Sequence, residues 1–472
     1  MDIPLPVISL RGRVGVLNSV ISIKRWAAYC LMALSLSAAV ILKGGVYPQQ
    51  WVWSALGISA AAVLAVATRH NRAPSDPWGD AFIGFVLAWV LFQLAPLPPA
   101  LVARLTPEHW HAVAAARAAT GQDAGAWVSL SVAPSATVER LLDVIPSMAA
   151  FVVAREMAWW WRDRIWIAVA PVVGVALFES LLGLAQFYFM RVAGNETGAA
   201  AGTYVNRNHF AGLLEMAFPI AVVLAISAWR KGAAQFNQTL GPALRMALLL
   251  ATSACLLAGV VVSRSRMGFV SILAGAGFTM LVVPLSQADA DADRGWRRAW
   301  RWATPLVLPL VIVILLPTRE LILRFADMAF TQEVSTDTRV EIWRDTLHLI
   351  GAYKWTGCGL GAYGHGFYRY KSVAPVNTVE FAHNDYLQIL GELGIPGGLL
   401  VGLLAAWIAA RVLAVVLWRR GARNWELAIG LFASLVTLGV HSLADFNLYI
   451  PANALAFAWL GGVAVSPGLR RK

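Results

Sequence analysis

This sequence predicts an all-α polytopic membrane protein with about twelve transmembrane helices. Three observations carry the prediction. Charged residues make up 14% of the chain and hydrophobic ones 58%, with a mean hydropathy of +0.63, whereas soluble domains carry about 25% charged residues. Many long runs hold almost no charge, and a helix needs about 20 apolar residues to cross the bilayer core. The 21 tryptophans fit as well, because Trp gathers at the membrane–water interfaces.

The expected spans lie near 26–43, 51–68, 80–97, 138–154, 165–190, 209–229, 244–262, 267–285, 303–318, 395–418, 425–441 and 450–466. Residues 1–25 precede them and carry Arg11, Arg13, Lys24 and Arg25. The first apolar run is long, has no small-residue cleavage pattern and is followed by more spans, so no cleavable signal is expected. Within the first nine spans (26–318), residues 98–137 form a loop rich in Pro, Ala and Ser; a large loop fills 319–394, three spans fill 395–466, and 467–472 is a tail. No internal repeat is visible, whereas a transporter of inverted repeats would show matching halves.

Orientation follows from the basic loops. "RHNR" (69–72), "REMAWWWRDR" (155–164), "WRK" (229–231), "RGWRRAWR" (294–301), "WRRGAR" (418–423) and the closing "LRRK" fall on one side, together with the N-terminal segment. Short loops rich in Lys and Arg mark the cytoplasm. Both termini are then cytoplasmic, and 98–137 and 319–394 are external. The net charge of +12 has the same origin, so no nucleic-acid partner is expected. Cys30 and Cys255 lie in apolar runs and Cys358 stands alone in a loop, which gives neither a disulfide framework nor a zinc spacing.

External arginines at span ends work against the charge rule and need a reason. They are Arg207 in "GTYVNRNHFAG", flanked by Asn206, then Arg264 and Arg266 in "VVSRSRMGF", and Arg339 in "STDTRVEIWRDTLHLI". One isolated arginine would be explained by snorkelling to the headgroups. Several on one face point to an anion, because the planar guanidinium grips phosphate oxygens in pairs. A lipid-linked phosphate or diphosphate at headgroup level fits. The segment from Ser335 reads as a short surface helix: Thr338 and Glu341 have capping-box spacing, and Arg339, Trp343 and Thr346 or Leu347 share a face. In "GCGLGAYGHGF" (357–367) the glycines let backbone approach a ligand closely, or simply make a flexible loop.

The stretch "FAHNDYLQIL" from Phe381 places His383, Asn384, Asp385 and Tyr386 just before a span, on the face of those arginines. A histidine there takes a proton from a sugar hydroxyl as its oxygen attacks, while arginines stabilise charge on a diphosphate leaving group. Close to arginines and the membrane surface, the imidazole is expected to be neutral at pH 7. The only carboxylate cluster is Asp289, Asp291 and Asp293. It falls in a cytoplasmic loop, so no metal or other cofactor is expected. Glu179 and Glu215 lie within spans, where buried acids need partners; an arginine is the expected one.

"SRSRMGF", "DTRVEIW", "GCGLGAYGHGF" and "HNDYLQILGELGIPGG", in that order, resemble the O-antigen ligase and polymerase superfamily. The loop "PLP…TPEHW…LSVAPSAT" and the closing "HSLADFNLYIPANALAF" are similar to it too, so the likeness runs from about residue 95 onward. The resemblance implies a multi-span, metal-independent inverting glycosyltransferase of the C-superfamily type, in the bacterial inner membrane, with its site facing the periplasm. It implies a glycan donor carried on undecaprenyl diphosphate, and as acceptor either lipid A–core (a ligase) or another lipid-linked glycan (a polymerase). "HSLADFNL" leans towards members from exopolysaccharide clusters. The implied base is His383. The implied diphosphate arginines are Arg266 and Arg339, with Arg264 competing with Arg266 and Arg207 as a further match; Asn206, Asn384, Tyr386 and Trp343 support them. The competing classes are a polytopic solute or anion transporter, which would line its midplane with ionisable residues, and a non-catalytic scaffold, which leaves the external arginines unexplained.

Overall fold

A computed structural model describes residues 10–68, 73–195, 198–233, 240–285, 336–372, 378–420 and 422–470. Within them the chain is helical, and the β pairing is one isolated bridge between Leu97 and Val128. The helices are α1 (Leu10–Ile41), α2 (Pro48–Ala67), α3 (Pro77–Leu94), α4 (Pro99–Leu105), α5 (Pro107–Thr120), α6 (Pro134–Trp160), α7 (Trp166–Val192), α8 (Arg207–Ala233), α9 (Leu240–Val262), α10 (Arg266–Leu285), α11 (Thr336–Ala352), α12 (Tyr363–Phe367), α13 (Asp385–Trp418), α14 (Trp425–His441) and α15 (Pro451–Val465).

Six of these, α2, α3, α7, α8, α9 and α13, are long and apolar enough to cross a membrane, and α10, α14 and α15 are shorter apolar helices. This is a multi-pass membrane protein. The expected spans near 26–43 and 138–154 coincide with α1 and α6, but both helices also carry charged residues, such as Lys24 and Arg25 or Arg140 and Asp143. The expected span at 303–318 and the Asp289–Asp293 cluster lie outside the described residues.

The helices sort by burial. α8 lies at the centre, with 78% of its apolar stretch enclosed by the protein, and it packs against α9 and α14, while α15 packs against α6. Phe210, Leu213, Leu214, Phe218 and Trp459 are fully buried there. By contrast α2, α3, α9 and α13 present Trp53, Leu56, Phe85, Leu248, Leu399 and Leu403 outward. An exterior this apolar is what a lipid solvent selects.

The two ends of the bundle differ as the loop charges require. At one end Arg25 lies over Trp160, Arg155 pairs with Asp80, Arg411 with Asp76 and Arg423 with Asp163. Asn424 bonds the carbonyls of Arg162 and Gly468, closing that end. At the other end the 97–131 loop, the starts of α6 and α8, and the segments 353–363, 379–395 and 441–453 pack together.

α13 is broken near that second end. Gly394 adopts φ 66°, a left-handed conformation that glycine tolerates at little cost. The break exposes helix carbonyls that need donors. The Trp89 indole donates to the Leu393 carbonyl at 2.9 Å, and the Gln93 amide donates to those of Glu392 at 2.8 Å and Thr356 at 2.7 Å. The "GCGLG" stretch supplies more: Gly359 N–H bonds the Glu392 carbonyl at 3.0 Å and Gly361 N–H the Glu392 carboxylate at 2.8 Å. A Cβ on Gly357 would sit 2.0 Å from the Glu392 carbonyl oxygen, and one on Gly359 2.3 Å from Ser131 Oγ. These glycines therefore admit close approach of the protein's own backbone and side chains.

Candidate functional site

His383 stands in the short link before α13 with φ 49°, a region that non-glycine residues enter only when neighbours hold them there. The neighbours do so on both sides. Ahead of it, the Ala382 N–H donates to Gln388 Oε1 at 2.6 Å, and the Ala382 carbonyl accepts from the Trp343 indole at 3.0 Å. Behind it, Asn384 caps α13 by accepting from the Leu387 N–H at 3.0 Å and donates to the Leu443 carbonyl at 2.9 Å. The Asp385 N–H reaches the carbonyls of Ser442 and Asp445, and Tyr386 Oη donates to the Gly439 carbonyl at 2.8 Å. Three expected supporting residues, Trp343, Asn384 and Tyr386, thus fix the loop. Asn206 acts likewise at the start of α8, accepting from the Asn208 N–H at 2.8 Å.

The pinned imidazole faces a carboxylate that sequence reasoning did not single out. His383 Nδ1 lies 3.9 Å from Asp445 Oδ1, and His209 Nε2 lies 3.7 Å from the same oxygen. Both rings meet Phe446 edge-on, at centroid distances of 5.0 and 4.8 Å, and Phe381 stacks on that ring's face at 4.2 Å. Asp445 Oδ1 also accepts from the Phe446 N–H at 2.9 Å, and Oδ2 lies 3.7 Å from His441 Nε2. His441 in turn meets Glu215 at 3.0 Å. The chain holds these residues in "FNL", "HSLAD" and "NHF" patterns; a histidine four residues before an aspartate at a helix end was the available signal. Among the described residues the buried acids meet other partners than the expected arginine: Glu215 takes His441, and Glu179 accepts from the Thr203 N–H and hydroxyl at 2.9 and 2.8 Å.

Burial is the main effect on His383 and pushes its pKa down to about 4. Asp445 opposes this by favouring the cation, while Arg339 and His209 reinforce it. The imidazole is therefore neutral at pH 7, with its Nδ1 towards Asp445. Burial alone would push Asp445 up, but His209 and His441 hold it well below the usual carboxylate range. It is a fixed anion beside the neutral imidazole.

The arginines occupy the same end. Arg339 lies in α11, whose described residues begin at Thr336, so Thr338 falls within the helix. The buried face of α11 runs through Ile342, Asp345, Thr346 and Leu349, leaving Leu347 outside. That places Arg339 half-buried, near enough to His383 for its charge to act on the ring. Arg207 opens α8 two residues before His209, and Arg266 opens α10. The start of α10 abuts α8, since a Cβ on Gly268 would meet Ala211. Arg264 takes φ 56° in the turn between α9 and α10 and lies 5.8 Å from the Phe187 ring centroid, a ring it shares with Arg191 at 5.0 Å. Among the described residues no three His, Cys, Asp or Glu side chains are disposed to hold a metal ion.

Residues 251–402 match the family model described as O-antigen ligase. Over that stretch the chain is similar to the O-antigen ligase family. The matched segment holds Arg264, Arg266, Arg339, Trp343, His383, Asn384 and Tyr386. It is narrower than the likeness read from the motifs, and Arg207, Asp445, His441 and Glu215 lie outside it. Comparison with curated proteins gave no match. The O-antigen ligase family acts in general on lipid-linked glycans, and the matched segment of this chain carries His383 and Arg339 at one end of the bundle.

Proposed function

We propose that this protein is an inverting, metal-independent glycosyltransferase. It moves a glycan from undecaprenyl diphosphate to an acceptor sugar hydroxyl, as an O-antigen or exopolysaccharide ligase or polymerase. In this reading the chain spans the inner membrane about twelve times with both termini in the cytoplasm, and the loop 319–394 carries catalysis on the periplasmic side. The acceptor is lipid A–core or a second lipid-linked glycan.

One observation carries the reading: a strained, neutral His383 lies beside Asp445 and within reach of the Arg339 charge, and His383 and Arg339 both lie in the segment that matches the O-antigen ligase model. His383 Nε2 takes the proton of the acceptor hydroxyl as its oxygen bonds to C1 of the donor sugar. The C1–oxygen bond to the diphosphate breaks on the opposite face, which inverts that carbon. Arg266 and Arg339 meet the charge released on the lipid diphosphate, with Arg207 and Arg264 beside them.

The test is transfer from a purified lipid-diphosphate glycan by the protein in vesicles. His383→Ala should lose about 10²–10⁴-fold in turnover while donor affinity holds, and EDTA should leave wild-type transfer intact. Undiminished turnover in His383→Ala, or strict dependence on added magnesium, overturns the reading.

A further inference from the structure

We propose that Glu215 and His441 are positioning residues for His383, acting through Asp445, whose carboxylate they orient. The inference builds on the role just given to His383.

Four groups line up from the bundle interior to the surface loop. Both Glu215 carboxylate oxygens lie 3.0 Å from His441 Nδ1, and both side chains are 0% exposed. His441 Nε2 lies 3.7 Å from Asp445 Oδ2, and Asp445 Oδ1 lies 3.9 Å from His383 Nδ1. His441 Nε2 and Asp445 Oδ2 are buried polar atoms without a hydrogen-bond partner, and they face each other. The Phe446 N–H fixes one Asp445 oxygen, so His441 is the group that sets the other. A carboxylate enclosed in apolar surroundings is costly unless a cation or donor faces it.

A simple brace between α8 and α14 would not need an ionisable pair. Hydroxyls already join those helices: Ser434 donates to the Met216 carbonyl at 2.6 Å and Thr437 to the Glu215 carbonyl at 3.4 Å. The groups around Asp445 come from every neighbouring element. His209 faces it from α8, His441 from α14 and His383 from the link before α13, while the Asp385 carboxylate opposes its charge from α13. Arg339 on α11 acts on His383. His441, backed by Glu215, is the member that couples this set to the bundle interior.

The test uses the full-length protein in vesicles with a lipid-diphosphate glycan donor. His441→Gln should lower kcat by about 10–10²-fold with donor KM changed by less than about threefold, because the arginines that hold the diphosphate are untouched. Its acid limb should move to higher pH, since Asp445 loses a neighbour that lowers its pKa and must now ionise within the working range. Glu215→Gln should do the same more weakly. In an Asp445→Asn background, His441→Gln should cost less than about threefold more, as expected for groups acting in series. An unchanged kcat and pH profile in the folded variants overturns the proposal. So does a full additive loss in the Asp445→Asn background, or failure of both single variants to fold, which would make the pair a packing element. His383→Ala separates the two readings: full turnover there removes the proposed function itself, whereas its loss alongside a wild-type His441→Gln removes only this inference.

Discussion

Asp445→Asn is the most informative single change at the site. The substitution keeps shape and removes one charge 3.9 Å from His383 Nδ1. At an effective dielectric of about 20, that charge favours the imidazolium by about 4 kcal/mol. In base catalysis the imidazolium forms as the proton moves, so the lost attraction appears in the barrier. The His383 side chain is 22% exposed, and solvent screening together with a partly developed charge reduces the effect to about 2–3 kcal/mol, or about 30–200-fold in kcat. Donor KM should stay within about threefold, since Arg266 and Arg339 are unchanged. Single-turnover transfer and donor binding, measured separately on the purified variant, give both numbers. A kcat within threefold of wild type, or a donor KM that rises as far as kcat falls, refutes Asp445 as the partner of the base.

Three further outcomes follow from the same geometry. Transfer should persist as pH falls through 6.5 and fade only towards about 4, where His383 becomes charged; Arg339→Gln removes a group that lowers this pKa, so the acid limb of its normalised rate should move up in pH, and an unmoved limb would show that Arg339 does not act on His383. Gln93→Leu strips donors or acceptors from three buried backbone groups and should destabilise the protein by about 2–5 kcal/mol, read as a lower melting temperature in detergent. Gly357→Ala combines φ 70° with a Cβ 2.0 Å from the Glu392 carbonyl oxygen, so folded protein should be largely lost, and normal yield with normal melting would contradict the packing described for that turn.

Much of this was legible in the sequence because it is written in local patterns. Apolar runs mark helices one at a time, and basic loops mark one end of the bundle, so the segregation of Arg155, Arg162 and Arg423 from His383 and Arg339 needed no long-range contact. The proximity of Arg339 to His383 was also legible, because each sits in its own polar motif beside a membrane helix. Asp445 escaped notice because its role depends on tertiary placement. It lies 62 positions beyond His383 and 236 beyond His209, and only the packing of α8, α13 and α14 brings the rings to it. Glu215 was recognised as needing a partner, yet the choice between arginine and histidine is made by which helix face it meets. The glycines of 357–361 were noticed for the right property, tolerance of close approach. What approaches them is the broken end of α13, and that break is fixed by Trp89 and Gln93 more than 260 positions earlier.

The break at Gly394 divides α13 into two mechanical bodies. The first, from Asp385 to Leu393, is clamped to α3, the glycine turn and the loop before His383. The second continues through the apolar stretch to Trp418 and shows most of its surface outward. A continuous helix would transmit every tilt of its lipid-embedded length to the residues at its tip. Here a change in bilayer thickness can tilt the second body while the first keeps its bonds, so the alignment of His383 with Asp445 is insulated from the membrane that surrounds it.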